Sequence, residues 1–328
     1  MSYLRLAAHI ASAGIRTVVR RTFHGPALPS WSFSLELAVE VIRAALEVGI
    51  TMDPKRARKM MQSGLPGASV KKQVTFREEP LNGVPAHCVE PVHGASDCVL
   101  LFLLGGGYVL HDSVKSHGDM IARLTLATGC RTWVAEYRLA PEHPFPAALD
   151  DAVAAYSVLL DRAVDPSSIA VGGSSAGGGL SLAMLLRLRE MGRPLPAAAV
   201  VISPWVDHAL TAKTLETNSK TDLLSRAILE YFSEEYRAGE DPRNPLVSPV
   251  YADLKGLPPL LMHAGGAEIL LDDARRLADA SRAAGVAVTY EVYDEMPHEW
   301  QALAQFVPEG PRSIEAIGRF VREKTAGA

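Results

Sequence analysis

Short apolar runs recur along the chain from residue 98 onward, and helix-like segments lie between most of them. Runs that are apolar on both faces and alternate with helices are typical of a parallel sheet covered by helices on both sides. The sequence therefore predicts an α/β fold with a mostly parallel central sheet. The runs are CVLLFLL (98–104), RTWVAEY (131–137), IAVGG (169–173), AAVVISP (198–204), PLLMHAG (259–265) and VTYEVY (288–293), and the helix-like segments are 117–128, 147–162, 176–191 and 272–284.

Two further strand-like segments precede this alternation. KKQVTFREE (71–79) and AHCVEPV (86–92) alternate between apolar and polar residues, and Asn82-Gly83 lies between them. Asn-Gly is favoured in tight hairpin turns. We expect two strands here, separated by a turn.

Two stretches of the chain do not follow the strand–helix alternation. Residues 1–62 have helical periodicity throughout, and residues 207–247, which are polar and charged, also look helical. The second stretch follows a strand, at the sheet edge where α/β proteins bind ligands. We predict a helical cap formed by segment 1–62 and an insertion at 206–250, over a core of residues 63–205 and 251–328.

The net charge and the cysteines argue against several classes of protein. The formal net charge is −4, and no block of lysine and arginine is long enough to suggest nucleic-acid binding. Cys88, Cys98 and Cys130 include no CxxC pair, which argues against a disulfide framework and against a zinc site. We therefore expect three free thiols in a reducing cytoplasm, no bound metal and no nucleic-acid partner.

The amino-terminal residues raise the question of export or membrane insertion. VRRTF (19–23) is similar to a twin-arginine signal, which requires an apolar region after it. The residues that follow are interrupted by Pro26, Pro29 and Glu36. No apolar run approaches the roughly 20 residues of a membrane-spanning helix. The sequence predicts neither an export signal nor an integral membrane span.

A glycine cluster, GGSSAGGG (172–179), joins an apolar run to a helix-like segment. Such a cluster can cradle a phosphate or hold a nucleophilic serine on a tight turn. Neither this segment nor GGGYVL (105–110) fits GxGxxG, and no GxxxxGK occurs. The zinc motif HExxH fails at its last position, which is Ala302. The spacing favours a nucleophilic serine and predicts no cofactor.

The segment Gly173-Ser174-Ser175-Ala176-Gly177 fits the motif GxSxG. A serine on a sharp strand-to-helix turn is crowded, and glycines two residues before and after relieve that crowding. Only Ser175 has glycines at both of these positions. We predict that Ser175 is the nucleophile.

A serine nucleophile needs a base, an orienting acid and hydrogen-bond donors for the developing oxyanion. His298 lies between the last strand-like run and the final helix, which places it at the same sheet edge as Ser175. His263 lies inside an apolar run and is expected to be a hydrogen-bonded core residue. For the acid, Glu268 comes first after the preceding strand, and Asp272 with Asp273 follows one helical turn later. The glycines of LLGGGY (103–108) are candidates for the oxyanion donors.

These residues, together with several longer motifs, resemble the hormone-sensitive-lipase-like branch of the α/β-hydrolases, also called family IV bacterial esterases. The resemblance covers roughly residues 70–325 and is carried by the motifs GGGY (105–108), YRLAPEHPFPAALDDA (137–152), GGSSAGGGL (172–180), SPW (203–205) and MPHEW (296–300).

The resemblance implies the α/β-hydrolase fold with a helical cap, Ser175 as nucleophile and His298 as base. It also implies an oxyanion hole formed by the backbone N–H groups of Gly106, Gly107 and Ala176. Tyr108 and Trp205, which lie in two of the motifs, are candidates for the substrate pocket. Relatives often pair through an edge strand, so a homodimer is compatible with the resemblance.

Three positions depart from the family pattern. Leu104 stands where a histidine usually precedes the glycines, and Ser174 stands where an aspartate usually precedes the nucleophile. Glu268 stands where the acid is usually aspartate. Glutamate performs the same role in some α/β-hydrolases. We therefore predict Glu268 as the acid, with Asp272 in reserve.

The resulting hypothesis is a serine carboxylesterase that hydrolyses short- to medium-chain carboxylic esters through an acyl-enzyme. Two alternatives stay open at the level of the sequence. The same residues would serve a hydrolase of lactones or acetylated natural products. The three departures are also compatible with a non-catalytic ligand-binding protein on this scaffold, although Ser175 and His298 are both present.

Overall fold

Eight strands form a single sheet in the computed structural model, which describes residues 3–61, 69–94, 96–110 and 114–325. The order across the sheet is β1-β2-β4-β3-β5-β6-β7-β8. The strands are β1 (Val74–Glu78), β2 (Ala86–Pro91), β3 (Val99–Leu103), β4 (Arg131–Ala135), β5 (Ile169–Ser174), β6 (Ala198–Ile202), β7 (Leu260–Gly265) and β8 (Val288–Tyr293).

The predicted parallel sheet is confirmed. The six apolar runs become β3 to β8, and neighbouring members of this set pair in parallel. Only β2 runs in the opposite direction, because it pairs antiparallel with both β1 and β4. The predicted turn between β1 and β2 is also present: Leu81 bridges Val84, and Asn82 and Gly83 both have positive φ, as a type I′ turn requires.

Ten α-helices lie in the described residues, several of them on the two faces of the sheet. Leu100 and Phe102 of β3 pack into one buried cluster with residues of α4 and α10. Val99 and Leu101 of the same strand pack into the other cluster, with residues of α5, α6 and α9. Burial of both faces explains why β3 to β7 read as continuous apolar runs, whereas no residue of the edge strand β8 is fully buried. The helices are α1 (Tyr3–His24), α2 (Phe33–Gly49), α3 (Pro54–Met61), α4 (Val114–Thr128), α5 (Ala147–Asp161), α6 (Ala176–Glu190), α7 (Thr214–Thr217), α8 (Arg226–Arg237), α9 (Leu271–Ala283) and α10 (Glu309–Thr325).

The helices outside the sheet layers come from residues 1–62 and from the insertion at 206–250, the two stretches that interrupt the strand–helix alternation. Helices α1 to α3 precede the sheet, and α7 and α8 lie between β6 and β7. Arg43 of α2 joins the two groups, because its Nε donates a hydrogen bond of 2.7 Å to the carbonyl oxygen of Asp222. Among the described residues, no helix has the length and apolar character needed to cross a bilayer.

The prediction of three free thiols was wrong. Cys98 and Cys130 form a disulfide with Cα atoms 4.8 Å apart, and only Cys88 is a free thiol. The two half-cystines precede β3 and β4, whose parallel pairing sets Val99 beside Arg131. Because this neighbourhood depends on strand order, the sequence separation of 32 residues gave no signal of it. Three free thiols were the basis for predicting a reducing cytoplasm, so the disulfide removes the support for that prediction.

Candidate active site

Ser175 lies on a tight turn between β5 and α6. Its backbone has φ 52° and ψ −122°, which is a sparsely populated conformation for a residue with a side chain. A Cβ atom on Gly173 would lie 2.2 Å from the carbonyl oxygen of Gly177, and one on Gly177 would lie 2.0 Å from that of Leu103. The turn therefore leaves no room for side chains at either position, which explains the GxSxG spacing.

His298 follows β8, at the same edge of the sheet as Ser175. Its side chain is buried, and its backbone N–H donates a hydrogen bond of 2.9 Å to Oδ1 of Asp222. Both His298 and Ser175 line one cavity. The two residues predicted as base and nucleophile are thus brought together. His263 lies apart from them, with its Nδ1 2.8 Å from Oγ of Ser313, as expected for a core histidine.

Glu268 is fully buried after β7, and its Oε2 lies 3.4 Å from Nδ1 of His298. This distance is within ion-pair range, but the alignment does not make a regular hydrogen bond. The reserve acid Asp272 is occupied elsewhere: it accepts a hydrogen bond from the backbone of Lys213 at 3.0 Å and pairs with Arg275 at 2.7 Å.

The electrostatic environment of His298 favours its protonated form. Burial alone would lower the pKa of the imidazole, but the approach of the Glu268 carboxylate to Nδ1 and the charges of Glu299, Glu268 and Asp222 outweigh burial and raise that pKa to about 9. Burial also raises the pKa of Glu268 to about 7, with His298 opposing that rise. The site therefore holds a strongly basic imidazole beside three acidic side chains.

The glycine turn after β3 reaches the same cavity. Gly106 and Gly107 line it and have positive φ, and Ala176 is the first residue of α6. Within the described part of the chain, the backbone N–H groups of these three residues donate to no other group. The ring of Phe232 from α8 packs directly on Gly107, where a Cβ atom would lie only 2.1 Å from it.

Leu104, which replaces the usual histidine before the glycines, is buried in the core. The hydroxyl of Tyr137 donates a hydrogen bond of 2.7 Å to the carbonyl oxygen of Leu104. The turn is therefore anchored through its backbone, without a polar side chain at position 104.

The cavity has a volume of about 1160 Å³, counting space open to solvent. Ser175, His298 and Glu299 line it, and most of the other lining residues are apolar, with Ile42 and Leu46 from α2. The further polar lining residues are Ser116, His117, Asp119 and Gln305. The other apolar lining residues are Met61, Leu110, Met120, Trp205, Leu223, Leu224, Leu229, Phe232, Ala302 and Leu303.

Of Trp205 and Tyr108, the two residues predicted for the substrate pocket, only one lines the cavity. Trp205 lines the cavity, whereas Tyr108 lies behind the lining and stacks on Tyr236 with ring centroids 3.7 Å apart. Two histidines that follow the glycine triplet in the sequence were further candidates for the pocket. His117 lines the cavity, and His111 falls outside the described residues.

Residues 100–302 match the protein family described as alpha/beta hydrolase fold. The chain belongs to the α/β-hydrolase family. An acetyl-hydrolase from Streptomyces hygroscopicus is 47% identical over 227 residues, which cover 69% of this chain and 76% of that protein. An esterase from Acinetobacter venetianus is 35% identical over 228 residues, which cover 69% of this chain and 75% of that protein.

Solved structures of α/β-hydrolases agree with this assignment. A crystal structure of an esterase from the bacterial hormone-sensitive lipase family has 41% identity and a TM-score of 0.81, covering 88% of this chain and 98% of that one. EstE5, in a crystal soaked with p-nitrophenyl butyrate, has 37% identity and a TM-score of 0.79, covering 87% of this chain and 98% of that one. The predicted fold and the resemblance to the hormone-sensitive-lipase branch are confirmed.

The remaining departure from the α/β-hydrolase pattern is Ser174. Its side chain is fully buried, and its hydroxyl makes no hydrogen bond to any described residue. The polar contact that an aspartate would make at this position is absent.

Sequence reasoning missed Asp222, which lies in the insertion between β6 and β7. Its carboxylate accepts hydrogen bonds from the backbone N–H groups of Ile269 (2.8 Å), Leu223 (2.8 Å) and His298 (2.9 Å). Asp222 therefore holds the loop after Glu268 and the loop of His298 together. No sequence motif marks it, because its partners are backbone groups brought close only by the fold.

Proposed function

We propose that this α/β-hydrolase is a serine carboxylesterase that hydrolyses short- to medium-chain carboxylic esters through an acyl-enzyme. One observation carries the proposal: His298 lies between the buried Glu268 and a cavity that it shares with Ser175. A base held by a buried acid next to a serine on a strained turn is the arrangement that activates a hydroxyl for acyl transfer.

Acylation begins when the hydroxyl oxygen of Ser175 attacks the ester carbonyl. Neutral His298 accepts the hydroxyl proton through Nε2, while Glu268 orients the ring at Nδ1 and stabilises the imidazolium. The oxyanion accepts hydrogen bonds from the N–H groups of Gly106, Gly107 and Ala176. The tetrahedral intermediate collapses by breaking its bond to the alcohol oxygen, which takes the proton from His298 and leaves.

Deacylation repeats these steps with water as the nucleophile. His298 accepts a proton from water as the water oxygen attacks the acyl carbonyl, and the same N–H groups bind the second oxyanion. Breaking the bond to Ser175 releases the carboxylic acid, and the serine oxygen recovers its proton from His298. No step requires a metal ion or an organic cofactor.

The apolar cavity supports an acyl chain or an apolar alcohol of modest length. We propose that the helical segments 1–62 and 206–250 act as a cap, because Ile42 of α2 and Leu229 and Phe232 of α8 supply part of the cavity wall. The size of the substrate would then be set by the packing of α2 and α8 above Ser175.

Acetylated compounds are a second candidate class of substrate. They are favoured by one finding, the 47% identity to a protein named acetyl-hydrolase. Phe232 supports this candidate as well, because its ring closes over Gly107 and restricts the space beside that part of the predicted oxyanion hole.

We also infer that two copies of the chain pair through an edge strand of the sheet. Strands β1 and β8 end the sheet order, so each has an outer backbone edge with no partner strand among the described residues. Exposed strand edges readily add another strand. Sedimentation at several protein concentrations tests the inference, and a monomer at every concentration would overturn it.

The proposed function is tested with p-nitrophenyl esters from acetate to laurate, with the Ser175→Ala variant beside the wild type. We expect turnover that is highest at short chains and absent in the variant. Turnover that persists in Ser175→Ala would assign the chemistry to another residue. Absence of wild-type turnover with every ester, lactone and acetylated compound tried would favour a binding protein.

A further inference from the structure

Glu299, the residue after the predicted base, is held in an unusual conformation. Its backbone has φ 50° and ψ 39°, in the left-handed region that is unfavourable for a residue with a side chain. Its N–H donates a hydrogen bond of 3.2 Å to Oγ of Ser203, and the residue is 9% exposed. The surrounding structure therefore fixes the backbone from which this buried side chain reaches the site.

The carboxylate lies directly beside the groups proposed to react. Oε2 of Glu299 lies 3.8 Å from Nε2 of His298. A Cβ atom built on Gly105 would lie 3.1 Å from Oε1 of Glu299 and 3.0 Å from Cβ of Ser175. The carboxylate and the side chain of Ser175 thus both approach the bare backbone of Gly105.

Oε1 of Glu299 is buried and accepts no hydrogen bond from any described residue. Leaving such an oxygen unsatisfied costs free energy, so buried carboxylates normally have donors. The described cavity lining contains no lysine or arginine, and most of its side chains are apolar. A donor that enters the cavity with the substrate would satisfy this oxygen.

We propose that Glu299 forms a subsite for a hydroxyl or ammonium group on the alcohol portion of the ester. This inference rests on the proposed esterase function. The alcohol oxygen leaves toward Nε2 of His298, which protonates it, so the carboxylate next to Nε2 faces the alcohol rather than the acyl chain. The substrate class is then esters of diols, polyols or amino alcohols that carry a donor or a cation close to the ester oxygen.

The test compares matched pairs of acetate esters. Ethylene glycol monoacetate and propyl acetate form the pair that tests the contribution of the hydroxyl. Acetylcholine and 3,3-dimethylbutyl acetate, its uncharged isostere, form the pair that tests the contribution of the cation. For each enzyme we take the ratio of kcat/KM within a pair. Because both esters use the same His298, a change in the pKa of that residue cancels in the ratio.

We expect the wild type to favour the polar member of at least one pair and the variants to lose that preference. Glu299→Gln removes the charge but keeps an acceptor, so the cation ratio should fall about tenfold while the hydroxyl ratio falls less. Glu299→Leu should lower both ratios. Preference in the hydroxyl pair alone would identify a diol or polyol ester, and preference in the cation pair alone an amino-alcohol ester.

Two further variants serve as a control and as a substitute for a variant that does not fold. Glu190→Gln, which changes an exposed carboxylate on α6, should leave both ratios at their wild-type values. Should Glu299→Gln fail to fold, Glu299→Asp supplies a shorter carboxylate that should keep part of the cation preference. Equal ratios in the wild type and the Glu299 variants would overturn the subsite while leaving the esterase intact. Absence of wild-type turnover on all four esters and on the p-nitrophenyl series would overturn both.

Discussion

His298 is surrounded by three carboxylates, and their combined charge should set the pH dependence of the enzyme. Only the neutral imidazole can accept a proton from Ser175, and Glu268, Glu299 and Asp222 raise the pKa of His298 to about 9 against the opposing effect of burial. The active form is therefore scarce below this pKa and increases as the pH rises through it. We expect kcat/KM to increase from neutral to alkaline pH.

Replacing Glu299 tests whether neighbouring charges cause this pH dependence. Glu299→Gln removes one of the charges that raise the pKa of His298, so the rising limb of the pH–activity profile should move to lower pH. The measurement is kcat/KM for p-nitrophenyl acetate between pH 6 and 10. A rising limb centred near pH 6.5, the ordinary value for histidine, would contradict the electrostatic description.

Single substitutions also test whether Glu268 or Asp272 is the acid that orients His298. Glu268 lies next to Nδ1 of His298, whereas Asp272 pairs with Arg275. We expect Glu268→Ala to lower kcat by up to about 10⁴-fold, as loss of a triad acid does in serine proteases, and Asp272→Ala to have a far smaller effect. Steady-state kinetics on both variants give the ranking, and the reverse order would move the acid to Asp272.

At the scale of elements, the insertion between β6 and β7 does more than cover the cavity. Its Asp222 ties the loop of Glu268 to that of His298, and α2 holds the carbonyl of Asp222 through Arg43. Asn218 adds a hydrogen bond of 2.9 Å to the carbonyl oxygen of Glu268. The proposed cap segments therefore position Glu268 and His298 as well as supplying part of the cavity wall.

Replacing Asp222 tests this positioning role. In Asp222→Asn the amide NH₂ would face a backbone N–H donor, so one of the two loops must move. A displacement of about 1 Å can cost about 10²-fold in rate, and we expect kcat to fall by that order with little change in KM. Glu216→Gln, an exposed carboxylate in the same insertion, is the matched control. A variant that loses stability but keeps kcat would show that Asp222 serves folding alone.

The sheet and the tight turn at Ser175 could be predicted from the sequence because both depend on local patterns. Continuous apolar runs identify buried parallel strands, and the glycines around Ser175 are required by contacts within one turn. Asp222 and the Cys98–Cys130 pair depend on which loops and strands become neighbours, and no local pattern encodes that. Glu299 was seen only as part of a failed zinc motif, because its left-handed backbone and its approach to Nε2 of His298 are visible only in three dimensions.

At the scale of the whole molecule, the disulfide joins the starts of two central strands. Closing a loop of this length restricts the unfolded chain, and the expected gain is about 3–4 kcal/mol in the free energy of unfolding. We expect the double variant Cys98→Ser/Cys130→Ser to lose an amount of that order in urea denaturation. Cys88→Ser, which changes the free thiol, is the control. Equal stability of the double variant and the oxidised wild type would show that the bond contributes nothing.

The central claim is that the folded molecule directs one base, His298, at one nucleophile, Ser175. The most direct measurement is labelling of the native protein with a fluorophosphonate, followed by peptide mapping. We predict a single label on Ser175, none in Ser175→Ala, and strongly slowed labelling in His298→Ala. A label on Ser174, or ester turnover that continues with Ser175 unlabelled, would contradict the account.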